Sequence, residues 1–305
     1  MKRKLITTFL CLSLALSGCG STSETITQVD NSESRSSSII NEEASGTTPT
    51  ETVVENDIAT VEEQVVFDQD GLKITLTGME SDGSLFGSEI NFLIENSSEQ
   101  KMTVQVRDVS VNDYMVDTSM SADTVPGKKN NASMTIMKSS LEECGIEKIA
   151  KIDFSFHIFD TESWDTIADT DTISLETSHA ATYSQIFDDS GDILYEEDGV
   201  KIILKGISDD SIFGPSIKYY IENNSQEKII VQARDTSVND FMLSPTMSTE
   251  VTAGKKAIGT MTFFSSELEE NSISEFETVE TSFHIIIGEN WSNSRDTDII
   301  TLTFN

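Results

Sequence analysis

The stretch Val104-Gln105-Val106-Arg107-Asp108-Val109-Ser110-Val111-Asn112-Asp113-Tyr114-Met115 returns later as Val231-Gln232-Ala233-Arg234-Asp235-Thr236-Ser237-Val238-Asn239-Asp240-Phe241-Met242, with nine of the twelve positions identical. The match runs on in both directions at an offset of about 127 residues. Asp70-Gly71 pairs with Asp198-Gly199, Phe86-Gly87 with Phe213-Gly214, and Glu95-Asn96 with Glu222-Asn223. Gly127-Lys128-Lys129 pairs with Gly254-Lys255-Lys256, Ser155-Phe156-His157-Ile158 with Ser282-Phe283-His284-Ile285, and Trp164 with Trp291. A duplication of this extent means that whatever fold the chain adopts, it is built twice. The expected modules are 65–177 and 193–305, joined by a polar linker at 178–192.

Within each copy the apolar period is two. Leu72, Ile74 and Leu76 alternate with Lys73, Thr75 and Thr77, and Ile152, Phe154, Phe156 and Ile158 alternate with Asp153, Ser155 and His157. Such alternation buries one face of a strand and wets the other. Turn residues punctuate the runs at Asp70-Gly71, Asn96-Ser97-Ser98, Asn112-Asp113 and Pro126-Gly127. Asn-Asp tolerates the positive φ angles of a tight hairpin, so Ser110 to Met115 reads as strand, turn, strand. Seven or eight strands are predicted in the first module, near 65–67, 72–77, 88–95, 102–111, 114–117, 132–138, 149–158 and 171–176, and the same set in the second. Ser139-Ser140-Leu141-Glu142-Glu143 and Ser266-Glu267-Leu268-Glu269 carry a Ser-x-x-Glu pattern that predicts a short capped helix. The fold class is therefore all-β: two tandem immunoglobulin-like β-sandwiches, with a small barrel as the structural alternative.

Upstream of the repeats the composition changes. Lys2, Arg3 and Lys4 precede an apolar run from Leu5 to Leu16 and then small residues. That is the layout of a secretory signal, and the run is too short to span a bilayer. Leu16-Ser17-Gly18-Cys19 resembles the lipobox of bacterial lipoproteins. The resemblance implies cleavage after residue 18, a diacylglyceryl group on the Cys19 sulfur, and fatty acylation of the palmitate type. Two acyl chains suffice for a stable membrane hold where one does not. Residues 19–64 then form a lipidated N-terminus and a disordered tether. Residues 20–64 carry 16 Ser or Thr, ten acids, one Arg and no aromatic, too little apolar surface to offset the entropy of ordering.

Charge narrows the partners. The chain has 20 Lys and Arg against 53 Asp and Glu, a net charge of −33, or −36 once the three cations of the leader are removed. Such a surface repels phosphate backbones, so no nucleic acid partner is expected. The shared Ile-Glu-Asn-x-Ser, Arg-Asp-x-Ser-Val-Asn and Gly-Lys-Lys patterns resemble those of uncharacterised Gram-positive lipoproteins with tandem immunoglobulin-like domains, over roughly 65–305. That resemblance implies a fold and a place on the extracellular face of the cell membrane; it brings no activity. The expected function is binding or scaffolding at the cell envelope, with an unknown extracellular protein or glycan as ligand.

The candidate sites follow from the duplicated motifs. Arg107-Asp108 and Arg234-Asp235 beside the hairpins predict cross-strand ion pairs, or a ligand clamp. His157 and His284, with Trp164 and Trp291 seven residues on, suggest either a sugar or peptide contact or a Trp that closes one end of the sandwich. Asp169-Thr170-Asp171 and Asp296-Thr297-Asp298 place two carboxylates at the start of the last strand of each copy, a start toward a Ca²⁺ site but without an EF-hand loop. A calcium-dependent adhesion module is thus one alternative. Adjacent acids at Glu142-Glu143 and Glu269-Glu270 point apart on a helix and make poor catalytic pairs. Cys11 leaves with the leader and Cys19 takes the lipid, so Cys144 stands alone, and the acids before it should raise its thiol pKa. No G-x-S-x-G or H-E-x-x-H occurs, no cofactor or metal is implied, and an enzyme of the envelope is the weakest alternative.

Overall fold

The computed structural model describes residues 58–80, 86–209 and 211–304; the leader, Cys19 and nearly all of the tether lie outside them. Residues 55–305 form one compact unit that holds every strand of the described residues and two hydrophobic cores.

The first module contains β1 (Gln64–Gln69), β2 (Leu72–Glu80), β3 (Gly87–Asn96), β4 (Met102–Val111), β5 (Tyr114–Met115) and β6 (Thr118–Ser119). It continues through β7 (Ser121–Thr124), β8 (Lys128–Met137), α1 (Lys138–Glu143), β9 (Lys151–Asp160), β10 (Thr166–Asp169) and β11 (Ile173–Glu176). The second module repeats the plan with β12 (Asp192–Glu197), β13 (Val200–Ser208), β14 (Ser216–Asn223), β15 (Ile229–Val238) and β16 (Phe241–Met242). It ends with β17 (Ser248–Val251), β18 (Lys256–Thr262), α2 (Ser265–Glu270), β19 (Thr278–Ile287), β20 (Ser294–Asp296) and β21 (Ile300–Thr303).

In each copy the chain lays down two facing antiparallel sheets. One has the order β1-β2-β3-β8-β6 and is faced by β9 and β4 with their partners β10, β11, β7 and β5. The other pairs β12-β13-β14-β18 against β15 and β19 with β16, β17, β20 and β21. The sheets stay open, so the immunoglobulin-like sandwich holds and the barrel alternative falls away. The alternating residues meet in the middle: Phe92 of β3 packs edge-on against Phe154 and Phe156 of β9, with ring centres 5.9 and 5.6 Å apart, and all three are buried. Tyr219 and Phe283 make the matching contact in the second core at 5.3 Å. Rings at this spacing and tilt add to what their burial already contributes.

Several repeated motifs turn out to be clasps. Asn112 sits at φ 49° and Asp113 at φ 67°, and Asn239 and Asp240 at 50° and 70°, the turn geometry their residue types favour. The Asn112 side chain donates to Lys148 O at 2.7 Å and accepts from the amides of Ala150 and Lys151 at 2.9 and 3.0 Å. Asn239 does the same with Glu275, Glu277 and Thr278. Asn96 donates to the carbonyls of Gln100 and Thr124, and Asn223 to those of Glu227 and Val251.

Two local expectations need correction. The short helices form, but their N-caps are Met137 and Phe264, two residues before the predicted cap serines Ser139 and Ser266, and no side chain caps either. Ser140 Oγ instead accepts the amide of Asp117, and Ser265 Oγ donates to Phe213 O, so these hydroxyls tie the helix to neighbouring loops. Strands β7 and β10 escaped the pattern because they are four-residue edges with little apolar content.

The modules also share a sheet. Strand β5 of the first pairs in parallel with β18 of the second, Tyr114 opposite Lys256, so a ten-stranded sheet runs through both copies. The linker passes through this joint: the Phe187 ring lies 5.3 Å from that of Tyr114, tilted at 53°, and under the Lys256 ammonium at 4.3 Å.

Candidate functional site

The residues singled out at the hairpin assemble the joint. Asp108 lies at a register shift in β4, with φ 54°, a backbone setting Asp tolerates better than most residues. Among the described residues Arg107 makes no cross-strand ion pair; its Nη2 donates to Gln105 Oε1 at 3.4 Å on the same strand. The bulge aims the Asp108 carboxylate across the joint to Lys228 Nζ at 3.1 Å, which also meets Glu250 at 2.9 Å. Burial acts to raise the Asp108 pKa, but hydrogen bonds from Glu250 and Lys228 outweigh it and hold the carboxyl below its ordinary value. Glu250 moves the other way, raised first by burial and then by its contact with Asp108.

Beside it, Lys255 reaches over from the second module to Asp113, at 2.5 Å, and to Asp153. Lys151 joins the same cluster, 2.9 Å from Asp153. The Asp153 side chain is only 5% exposed and that of Lys255 13%. Burial alone would raise the Asp153 pKa, yet hydrogen bonds from Lys255, Ser174 and Lys151 bring it below the usual aspartate range. Lys255 is raised above the usual lysine value: burial opposes this, and its bonds to Asp113 and Asp153 prevail. Tyr114 and Tyr220 meet edge-on at 6.3 Å, and the Lys256 amide donates to Asp113 O at 2.9 Å. Glu143 of α1 adds a pair with Lys218 at 3.0 Å, so this acid of the Glu142-Glu143 pair serves the joint.

The His and Asp motifs come together in both copies. His157 Nδ1 lies 2.5 Å from Asp169 Oδ1, and His284 Nδ1 lies 2.6 Å from Asp296 Oδ1. The central Thr of each Asp-Thr-Asp motif continues the ladder: Thr170 Oγ1 accepts the Phe156 amide and the Thr170 amide donates to Phe156 O, each at 2.9 Å. Thr297 does the same with Phe283. One carboxylate of each proposed calcium pair is thus engaged by histidine, and among the described residues no group of three His, Cys, Asp or Glu is placed to hold a metal ion. Trp164 stacks on Phe159 at 5.3 Å but remains 74% exposed, and Trp291 is 65% exposed, so neither closes an end of its sandwich.

Cys144 is buried at the end of α1, within weak hydrogen-bond reach of Met115 O at 3.9 Å. Burial first, and then the charge of Glu143, push its thiol up to about 12, so it stays protonated. It borders a cleft of about 330 Å³ between the modules with Asp108, Met115, Glu143, Glu250 and Ile258. Among the described residues no helix is long and apolar enough to cross a membrane.

Sequence reasoning did not link Asp108, Asp113 and Asp153 to Lys228 and Lys255. A hint lay in Gly-Lys-Lys, two rare cations kept together in both copies of an acidic chain. No family model and no curated protein matches the sequence. Among solved structures, the YadV chaperone is similar at a TM-score of 0.24 and 10% identity, over 70% of this chain and 92% of that one. A protein of unknown function from Porphyromonas gingivalis W83 gives 0.20 and 11%, over 71% and 91%. An exo-chitosanase, CsxA of Amycolatopsis orientalis, gives 0.22 and 10%, over 70% of this chain and 25% of the enzyme. Overlaps this slight say nothing of what the chain does.

Proposed function

We propose that the chain is a lipoprotein held by Cys19 on the extracellular face of a bacterial cell membrane, where its two immunoglobulin-like modules bind or scaffold at the envelope. The leader, the lipobox-like Leu16-Ser17-Gly18-Cys19 and the Ser/Thr-rich tether support the anchor. The observation that carries the binding half is the repeated exposure of large aromatic side chains. Phe86 and Trp164 in the first module are 70% and 74% exposed, and their repeat partners Phe213 and Trp291 are 61% and 65% exposed. Single exposed apolar residues are ordinary, but the same ones exposed in both copies suit a contact surface used twice.

Two experiments test the halves separately. Cys19→Ala is expected to move the protein from the membrane fraction to the medium, or to leave an uncleaved precursor there. A processed form that still fractionates with membranes would refute the anchor. For binding, residues 55–305 are spun down with insoluble cell-envelope material. Trp164→Ala/Trp291→Ala is expected to leave at least tenfold more protein in the supernatant, since aromatic anchors commonly contribute about 1–2 kcal/mol each to an interface. Equal co-sedimentation of the double variant would remove the aromatic surfaces from the proposal.

A further inference from the structure

We propose that copies of this chain join head to tail, the hairpin tip of one copy's second module docking on the first module of the next, in the manner in which the two modules are already joined. The joint has two sides. The first module supplies Asp108, Asp113, Asp153, Tyr114 and Met115; their repeat partners on the second module are Asp235, Asp240, Glu280, Phe241 and Met242. All three acids and the apolar pair are therefore retained. The backbone is retained as well, with φ of 48° at Asp235, 50° at Asn239 and 70° at Asp240 against 54°, 49° and 67° in the first copy.

What differs is occupancy. Tyr114 is 3% exposed in the joint, while Phe241 and Met242, which form the matching strand β16, are 48% and 67% exposed. Asp235, Asp240 and Glu280 are exposed beside them. An apolar tip ringed by acids, on a two-residue strand, is a made surface that the described residues of the same molecule leave uncovered.

The complement is retained at the other end. Lys228, Lys255 and Lys256 receive the first module's tip; their repeat partners Lys101, Lys128 and Lys129 lie on the first module. Lys101 pairs with Asp123 at 2.9 Å just as Lys228 pairs with Glu250, and Lys129 pairs with Glu95 as Lys256 does with Glu222. Lys128, the counterpart of the buried Lys255, is exposed. In a chain with 20 cations to 53 acids, three lysines kept at the positions that match an acidic tip favour a second copy over a partner of unrelated sequence. Because tip and receiving face are different surfaces, the contact is heterologous and does not cap itself, so it yields open chains.

The receiving face of the first module has Leu93 where the second has Tyr220, and Asn131 where it has Ile258. It also lacks the 178–192 segment, which makes the internal contact intramolecular. The association is accordingly weaker than the internal joint, with a Kd on the order of 10⁻⁴ M, a range reached by proteins crowded on one surface. This partner gives the scaffolding half of the proposed function its content and rests on that reading for its biological role. The association itself is a property of residues 55–305 in solution and is measured without the anchor.

Sedimentation equilibrium on residues 55–305, from about 10 µM to about 1 mM, reads it directly. The weight-average mass is expected to rise at least twofold across the series in low salt and much less in high salt. Phe241→Asp/Met242→Asp and, separately, Lys128→Glu are each expected to stay monomeric. Mixed together, they leave one intact tip and one intact face, so the mixture should stop at a dimer. A wild-type chain that stays monomeric throughout, or association that survives either variant, overturns the proposal. A tip variant that blocks association while Lys128→Glu does not would show a tip-to-tip dimer and overturn it too. In all three cases the results with Cys19→Ala and the tryptophan pair would stand unaltered.

Discussion

Replacing Lys255 by Ala is expected to destabilise residues 55–305 by about 2–3 kcal/mol, whereas the same change at its repeat partner Lys128 should fall within about 0.5 kcal/mol. The two lysines occupy the same place in the repeat, but Lys255 is packed against a carboxylate that is 5% exposed, and Lys128 is exposed. Removing one partner of a buried pair leaves the other charge without compensation, at about 3–5 kcal/mol. Lys151 remains 2.9 Å from Asp153, which lowers the expected figure. Adding Asp153→Asn to Lys255→Met should recover at least half of the loss, because no buried charge is then left alone. Denaturant unfolding of the four variants measures this. Equal effects at Lys255 and Lys128 would mean that the buried contact of Lys255 with Asp153 contributes nothing to stability.

The same cluster sets a pH window. Asp153 has a folded pKa below its unfolded value, so its contribution is present above the ordinary aspartate pKa of about 3.9 and is lost as pH falls through the lower, folded one. Lys255 has a folded pKa above its unfolded value, so its share is complete below the ordinary lysine pKa of about 10.4 and is lost as pH rises through the folded one. Between those limits the Asp153–Lys255 contact should hold at full strength.

That contrast between two lysines marks where sequence stops being legible. Alternation and turn chemistry are local, so the strands around Leu72–Glu80 and Lys151–Asp160 and the Asn112-Asp113 hairpin could be read in advance. The joint could not, because both of its sides are written into both copies. Nothing local distinguishes Tyr114, which is buried, from Phe241, which is not. The path of the chain between the modules, which carries Phe187 into the contact, and Tyr220 and Ile258 on the second face, where the first has Leu93 and Asn131, favour the internal joint. The Arg-Asp motif misled for a related reason. Its duplication is explained by a bulge that needs positive φ, and the carboxylate's partner lies 120 residues away in Lys228. The helix caps failed because each helix starts upstream of its Ser-x-x-Glu serine, after Met137 and Phe264, where the neighbouring hydroxyls of Ser140 and Ser265 bond to loop backbone instead.

Gly87→Ala and Gly214→Ala should each cost about 3 kcal/mol, the largest effects expected from so small a change. Gly87 is the first residue of β3 and Gly214 lies two residues before β14, with φ of 149° and 141°. A Cβ on Gly87 would stand 1.9 Å from Ile136 O, and one on Gly214 would stand 2.2 Å from Phe263 O; backbone on both sides leaves neither able to give way. The residue before each glycine accepts the amide that leads into the following helix: Lys138 N donates to Phe86 O, and Ser265 N to Phe213 O, each at 2.9 Å. Forcing the strand outward therefore loosens α1 in one variant and α2 in the other. Only α1 carries Glu143 and leads into Cys144, the sole thiol of residues 55–305. Native-state labelling of Cys144 should accelerate at least tenfold in Gly87→Ala and stay near the wild-type rate in Gly214→Ala, although both lose similar stability. Gly78→Ala, where a Cβ meets nothing within 4 Å, supplies the control and should change stability by less than about 1 kcal/mol. Equal labelling rates in the two strained variants would mean that the modules open as one cooperative body, with the joint as strong as the cores it connects.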